Sequence, residues 1–109
     1  MSLADDLISL ARAVAPANVP GVPGVCVRLL TVSEMLALFR DKERGDVLAV
    51  LYGACDPTGA RIFADGEDAR VEALDFRTAT LIRMAVFRHN NLLASGEEVE
   101  GEGKAGRTP

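Results

Sequence analysis

The sequence predicts a mainly α domain, α+β only in a minor sense, with four to five helices and a short β element near residues 25–30. Three observations carry this. Apolar residues recur at helical spacing along most of the chain, residues suited to capping stand just ahead of several of these segments, and one short stretch is β-branched. The composition, 49% apolar and 26% charged over 109 residues, is that of a folded chain rather than a disordered one. One helical domain over residues 1–94 and a separate tail over 95–109 follow.

The first helix is expected over about residues 3–14. Ser2 with Asp5 three residues on suits an N-cap, and Leu3, Leu7, Leu10, Ala11 and Val14 share one side of the helical wheel. That apolar face is a candidate for self-association through Leu3, Leu7, Leu10 and Val14. Pro16, Pro20 and Pro23, with Gly21 and Gly24, then predict an extended connector over 15–24 that is neither helix nor strand.

Val25–Leu30 reads as a strand. Thr31 and Glu34 form the pattern of a capping box and open a helix running to about Arg44, closed by Gly45. Its buried face is expected to be Val32, Met35, Leu36 and Phe39. The apolar run from Val47 to Cys55 fits either a buried helix or a central strand; Asp46 as a cap, with Leu and Ala well represented, favours helix. Asp56-Pro57-Thr58-Gly59 suits a type I turn, Arg61–Phe63 a brief extended segment, and Asp65 the cap of a short helix near 67–73.

The last helix is expected from about Asp75 to Leu92, with Leu74, Leu81, Ile82, Ala85, Val86 and Leu92 toward the core. Phe76, Thr80, Arg83 and Phe87 line a second stripe, with Met84 beside it. A helix apolar on two sides is either central in its domain or docks a partner. Phe76, Arg83, Met84 and Phe87 are therefore the candidate partner-binding residues. From Ser95 onward acids and glycines dominate, which predicts a disordered acidic tail.

No catalytic constellation emerges, and an enzyme is not expected. His89 is the only imidazole, so any Ser–His or Cys–His pair has to use it, and its place late in a helix suits a structural role. Asp65, Glu67 and Asp68 lack the alternation of a calcium loop. Cys26 and Cys55 read as small buried hydrophobes of a reducing cytoplasm rather than a bridge or a metal site. No glycine-rich phosphate loop is present, so neither cofactor nor metal is expected. A net charge of −4 argues against nucleic acid, and no apolar run approaches the roughly 20 residues of a membrane span. An acidic start, Asp5-Asp6, is unlike a secretory signal.

The order of motifs resembles the tail assembly chaperones of long-tailed, siphovirus-type bacteriophages and prophages. Val25-Cys26-Val27-Arg28-Leu29-Leu30-Thr31 looks like that family's strand ending in an Arg-x-Leu-Thr helix entry. Asp56-Pro57-Thr58-Gly59-Ala60-Arg61-Ile62-Phe63 is similar to its Asp-x-x-Gly-x-x-x-Phe turn, Asp65 stands where the family has an acid, and Asn90-Asn91-Leu92 resembles its terminal stop. The resemblance covers about residues 25–93. It implies a non-enzymatic chaperone of the host bacterial cytoplasm that binds the tape-measure protein, keeps it soluble and helps recruit tail-tube subunits. It also implies a longer form made by a −1 ribosomal slip, for which Gly103-Lys104 supplies a suitable pair of residues. Two other expectations stand beside it: a head–tail joining protein retained in the virion, and a small bacterial adaptor or antitoxin.

Overall fold

The computed structural model describes residues 2–10 and 14–92. It contains five helices, α1 (Leu3–Ser9), α2 (Val32–Arg40), α3 (Gly45–Gly53), α4 (Asp68–Glu72) and α5 (Phe76–His89). Three two-residue strands, β1 (Ala17–Asn18), β2 (Cys26–Val27) and β3 (Ala54–Cys55), form an antiparallel sheet in the order β1-β2-β3. The mainly helical fold with a small β element is as the sequence predicts. The expected tail, the Gly103-Lys104 pair and residues 11–13 of the expected first helix lie outside the described residues; α1 itself ends at Ser9, and Val14, expected to close its apolar face, lies exposed in a bend.

The Val47–Tyr52 run is apolar all round, so it has to be covered on every side. It is accordingly the central helix α3, with α2, α4 and α5 packed about it. Ala49, Val50, Leu51 and Gly53 of α3 are buried, and Val50 joins Val27 and Val86 among the fully enclosed side chains. Burial of each valine stabilises the fold by about 1.5–3 kcal/mol.

The last carbonyls of α3 are satisfied by two arginines. Arg61 Nη2 donates to the Leu51 carbonyl at 3.1 Å, Arg28 Nη1 donates to the Tyr52 carbonyl, and the Arg28 amide donates to Gly53 at 3.0 Å. Cationic side chains at a helix C-terminus also offset the negative end of its dipole. Both arginines lie within the resemblance motifs, and their work in this fold is structural.

Several expectations need correction. Residues 15–24 are not a plain extended connector, because Ala17 and Asn18 pair with Val27 and Cys26. Pro16 and Pro20 flank the paired residues, so their missing N–H groups take no bond from the ladder. Between the strands run two consecutive Pro-Gly turns, Val19-Pro20-Gly21-Val22 and Val22-Pro23-Gly24-Val25. Each is closed by an i to i+3 hydrogen bond, 3.1 and 3.3 Å, with φ of +88° at Gly21 and +82° at Gly24. That is type II geometry, which needs glycine at its third position. The expected strand at 25–30 shrinks to Cys26–Val27, because Arg28 and Leu30 turn away to other partners.

The α2 capping box is present in full, with the Glu34 amide donating to Thr31 Oγ1 at 3.1 Å and the Thr31 amide to Glu34 Oε1 at 2.9 Å. Arg28 also pairs with Glu34 at 3.3 Å, fixing the carboxylate from a second side. The helix ends at Arg40, and Gly45 begins α3 instead of closing α2. Its expected buried face is the larger error: Leu38 is the buried residue of α2, whereas Val32, Leu36 and Phe39 are exposed and Met35 is half-buried. Asp46 lies in the first turn of α3 but does not cap it; Arg44 is the N-cap residue. Nor does Asp65 cap α4. It pairs with Arg61 at 2.9 Å, while Glu67 takes the N-cap position and its carboxylate accepts from the Ala64 amide.

Three carboxylates are held below their ordinary pKa by the donors around them. Asp56 takes the Thr58 hydroxyl and the Ala60 amide, Glu67 the Ala64 amide and Arg70, and Asp75 the Thr78 hydroxyl and amide. A lowered folded-state pKa gives stability that is fully present above the unfolded value and is lost as pH falls through the folded one. Denaturant midpoints should therefore decline between about pH 5 and pH 3. Asp56→Asn and Asp75→Asn keep the acceptor oxygens but cannot titrate, so each should make the decline shallower. An unchanged slope in both would contradict the assignment.

Candidate functional site

The site is built where α5 leaves α4. The Asp75 carboxylate accepts from the Thr78 amide at 2.9 Å, and this cap sets the entry angle of α5. Phe76 then sits at the first helical position with its ring turned outward, 85% exposed. Behind it a cavity of about 230 Å³ opens between α3, α4 and α5, its walls including Val47, Val50, Leu74, Phe76 and Thr80. The rim carries Asp46, Glu72 and Arg83. A large aromatic side chain left in water beside an apolar groove is unusual for a monomer core and usual for a docking surface.

Arg83 ties the groove to the next part of α5. Its Nη1 lies 3.7 Å from Asp46, a long and partly solvated pair, and its guanidinium stands 5.9 Å from the centre of the Phe87 ring. Glu72 on the opposite rim is shared with Arg44, whose Nη1 and Nη2 reach Glu72 at 3.4 Å and Asp68 at 2.9 Å. Each of these pairs is exposed to water, which screens it and leaves it little net effect on stability. Their larger consequence is geometric, since Arg44 fixes α4 against the start of α3 and so fixes one wall of the groove.

Of the four candidate residues, Phe76 and Arg83 line the groove. Met84 is exposed on the adjoining side of α5, and Phe87 is half-buried against the core beneath Arg83. The rim acids Asp46 and Glu72 were not among the expected site residues. Their signal was indirect: a centrally buried α3 has to leave a seam wherever two flanking helices diverge.

The other reactive groups are placed apart from this groove. Cys26 and Cys55 are free, buried and opposite one another in the sheet. Burial pushes the Cys55 thiol up to about 11, which makes it a poor nucleophile. Cys26 Sγ lies 3.3 Å from Asn18 Oδ1, a donor to that carbonyl oxygen. His89 closes α5 with Nε2 enclosed and, among the described residues, without a hydrogen-bond partner. Among the described residues no group of three or more His, Cys, Asp and Glu is placed to hold a metal ion, and no helix is long and apolar enough to cross a membrane.

No family model, curated protein or solved structure matches this chain. The functional reading therefore rests on the groove and on the sequence resemblance.

Proposed function

We propose that the protein is a non-enzymatic tail assembly chaperone of a siphovirus-type phage or prophage. In this reading it uses the α3–α4–α5 groove to hold an apolar stripe of the helical tape-measure protein. The observation that carries this is Phe76, largely exposed to solvent at the mouth of an apolar cavity. Its volume of about 230 Å³ is below the roughly 300–1,000 Å³ of small-molecule sites. It suits one or two large side chains of a docked helix. The rim supplies both signs of charge, so a helix with a basic residue beside its apolar stripe meets Asp46 or Glu72, and an acidic one meets Arg83. The resemblance of residues 25–93 to the chaperone family supplies the partner.

A tape measure exposes long apolar stripes until the tube closes round it, and such stripes aggregate. Covering them with a chain of net charge −4 keeps the complex soluble. In coexpression, wild-type protein should hold the tape measure in the soluble fraction, and Phe76→Asp should reduce its recovery at least about tenfold, as expected for a buried aromatic anchor. The circular dichroism and melting temperature should be unchanged, because Phe76 contributes little to the core. Full capture by the variant would remove the groove from the mechanism. Stoichiometric recovery of the protein from purified particles would instead favour a joining protein that stays in the virion.

A further inference from the structure

Among the described residues, α1 and α2 each leave an apolar face uncovered, and the two faces match. In and just past α1, Leu3, Leu7 and Leu10 stand at i, i+4 and i+7, all exposed, and no residue of α1 is buried. In α2, Val32, Leu36 and Phe39 repeat that spacing and are 76, 51 and 59% exposed. They flank a shallow cavity of about 160 Å³ whose walls include Leu30 and Met35. We propose that α1 of one copy lies along the α2 face of a second copy, and the reverse, in a two-fold dimer.

Charge sets the direction. Asp5 and Asp6 are the charged residues of α1, and both lie in its first turn. Arg40, in the last turn of α2, is the exposed charge of that helix, since Glu34 is held by Thr31 and Arg28. Just beyond it Asp41, Lys42 and Glu43 alternate in sign. Antiparallel docking puts Leu3 on Phe39, Leu7 on Leu36 and Leu10 on Val32, and it brings the acidic turn to Arg40. The helix dipoles then also oppose favourably.

Within the single chain both faces stay exposed, so a second copy is the partner that covers them. Six large apolar side chains, each 51–76% exposed, leave roughly 100 Å² apiece in water, so one docking event removes on the order of 600 Å², both faces counted. A reciprocal pair removes about 1,200 Å², at the lower edge of the roughly 1,200–2,000 Å² of stable interfaces.

Sedimentation of the full chain should give twice the 11.6 kDa monomer mass. Leu7→Asp and Leu36→Asp change exposed residues, so each should keep its circular dichroism while weakening dimerisation more than tenfold. Met84→Asp, outside both faces, should remain dimeric. Oxidised Leu7→Cys/Leu36→Cys chains should join between copies into a dimer-sized product, with buried Cys26 and Cys55 not competing. A monomeric wild type at 0.2 mM, a dimer that survives Leu36→Asp, or a disulfide formed within one chain would each overturn the proposal.

Discussion

Gly53→Ala is expected to destabilise the domain by about 1–3 kcal/mol, the range for overpacking a filled core. A Cβ at this position would stand 2.5 Å from Val86 Cγ2, 3.0 Å from Cγ1 and 3.3 Å from Cβ. Val86 is fully buried in the middle of α5, and a helical valine has one strongly preferred rotamer, so it cannot swing aside. The two helices have to separate. Better helix propensity of alanine offsets up to about 1 kcal/mol of this, and less at the end of α3 where Gly53 lies. For a domain of this size a loss of 1–3 kcal/mol lowers the melting temperature by several degrees to about 20 °C. Val86→Ala also destabilises, by leaving a void, but Gly53→Ala/Val86→Ala should be more stable than the sum of the two losses by at least about 1 kcal/mol. Additive losses would mean that the two helices are not in the contact described.

This contact also sets the groove. The walls from α3 and α5 keep their spacing because Gly53 allows the helices to meet closely at one end, while Asp46 and Arg83 stand at the other. On the proposed reading of the groove, Gly53→Ala should therefore weaken capture of the proposed tape-measure partner even at temperatures where the variant is folded. Phe76→Asp, by contrast, should weaken it without a change in stability.

What was legible in the sequence was mostly local. Ser2 and Thr31 with Glu34 each place a side-chain oxygen against the next turn's amides, and both caps form as their spacing predicts, whereas the cap at Asp75 was read only as the start of a helix. Asp56 closes its own turn through the Thr58 and Ala60 amides. The Asn90-Asn91-Leu92 stop is likewise local: Asn91 has φ of +58°, and the Leu92 and Asn91 amides return to the Phe87 and Arg88 carbonyls. Periodicity failed at α2 because it reports which residues share a face and says nothing of what covers that face. Leu38, one residue from the expected stripe, took the core side because α3 packs there. The β1 pairing was illegible for a similar reason, since Ala17–Asn18 is a strand only through Cys26–Val27. The two Val-Pro-Gly-Val segments between them carry the Pro-Gly pattern of type II turns, a signal that the extended-connector reading missed. Phe76 stood on the second stripe of α5, which the sequence left open between core and surface, and it lies exposed. Asp46 and Glu72 come to the rim of the groove by tertiary packing alone.

Asn90→Ala is expected to cost about 2–3 kcal/mol, comparable with the glycine variant and for the opposite reason. Asn90 Oδ1 accepts from the Leu30 amide at 2.8 Å, and Nδ2 donates to the Arg28 carbonyl at 3.2 Å and the Val86 carbonyl at 2.9 Å. One side chain thus fastens the segment between β2 and α2 to the end of α5, across sixty residues of sequence. Truncation leaves the Leu30 amide and the Arg28 carbonyl without their partner in a half-buried seam. Each unmet group of this kind costs about 1–3 kcal/mol, with the lower part of the range appropriate where water can enter. Asn90→Asp separates the acceptor from the donor. It retains the oxygen that Leu30 needs but turns a second oxygen toward two carbonyls, so at pH 7 it should be no more stable than Asn90→Ala. Protonation restores one donor, and the carboxyl's folded pKa is raised above its unfolded value by the carbonyls it faces. Stability in Asn90→Asp is then present at low pH and lost as pH rises through that raised value. Relative to Asn90→Ala it should gain as pH falls toward about 4, against the general acid trend of the domain. Equal pH profiles for the two variants would show that the amide group of Asn90 does not face those carbonyls, and that the β2–α2 segment is held to α5 by packing alone.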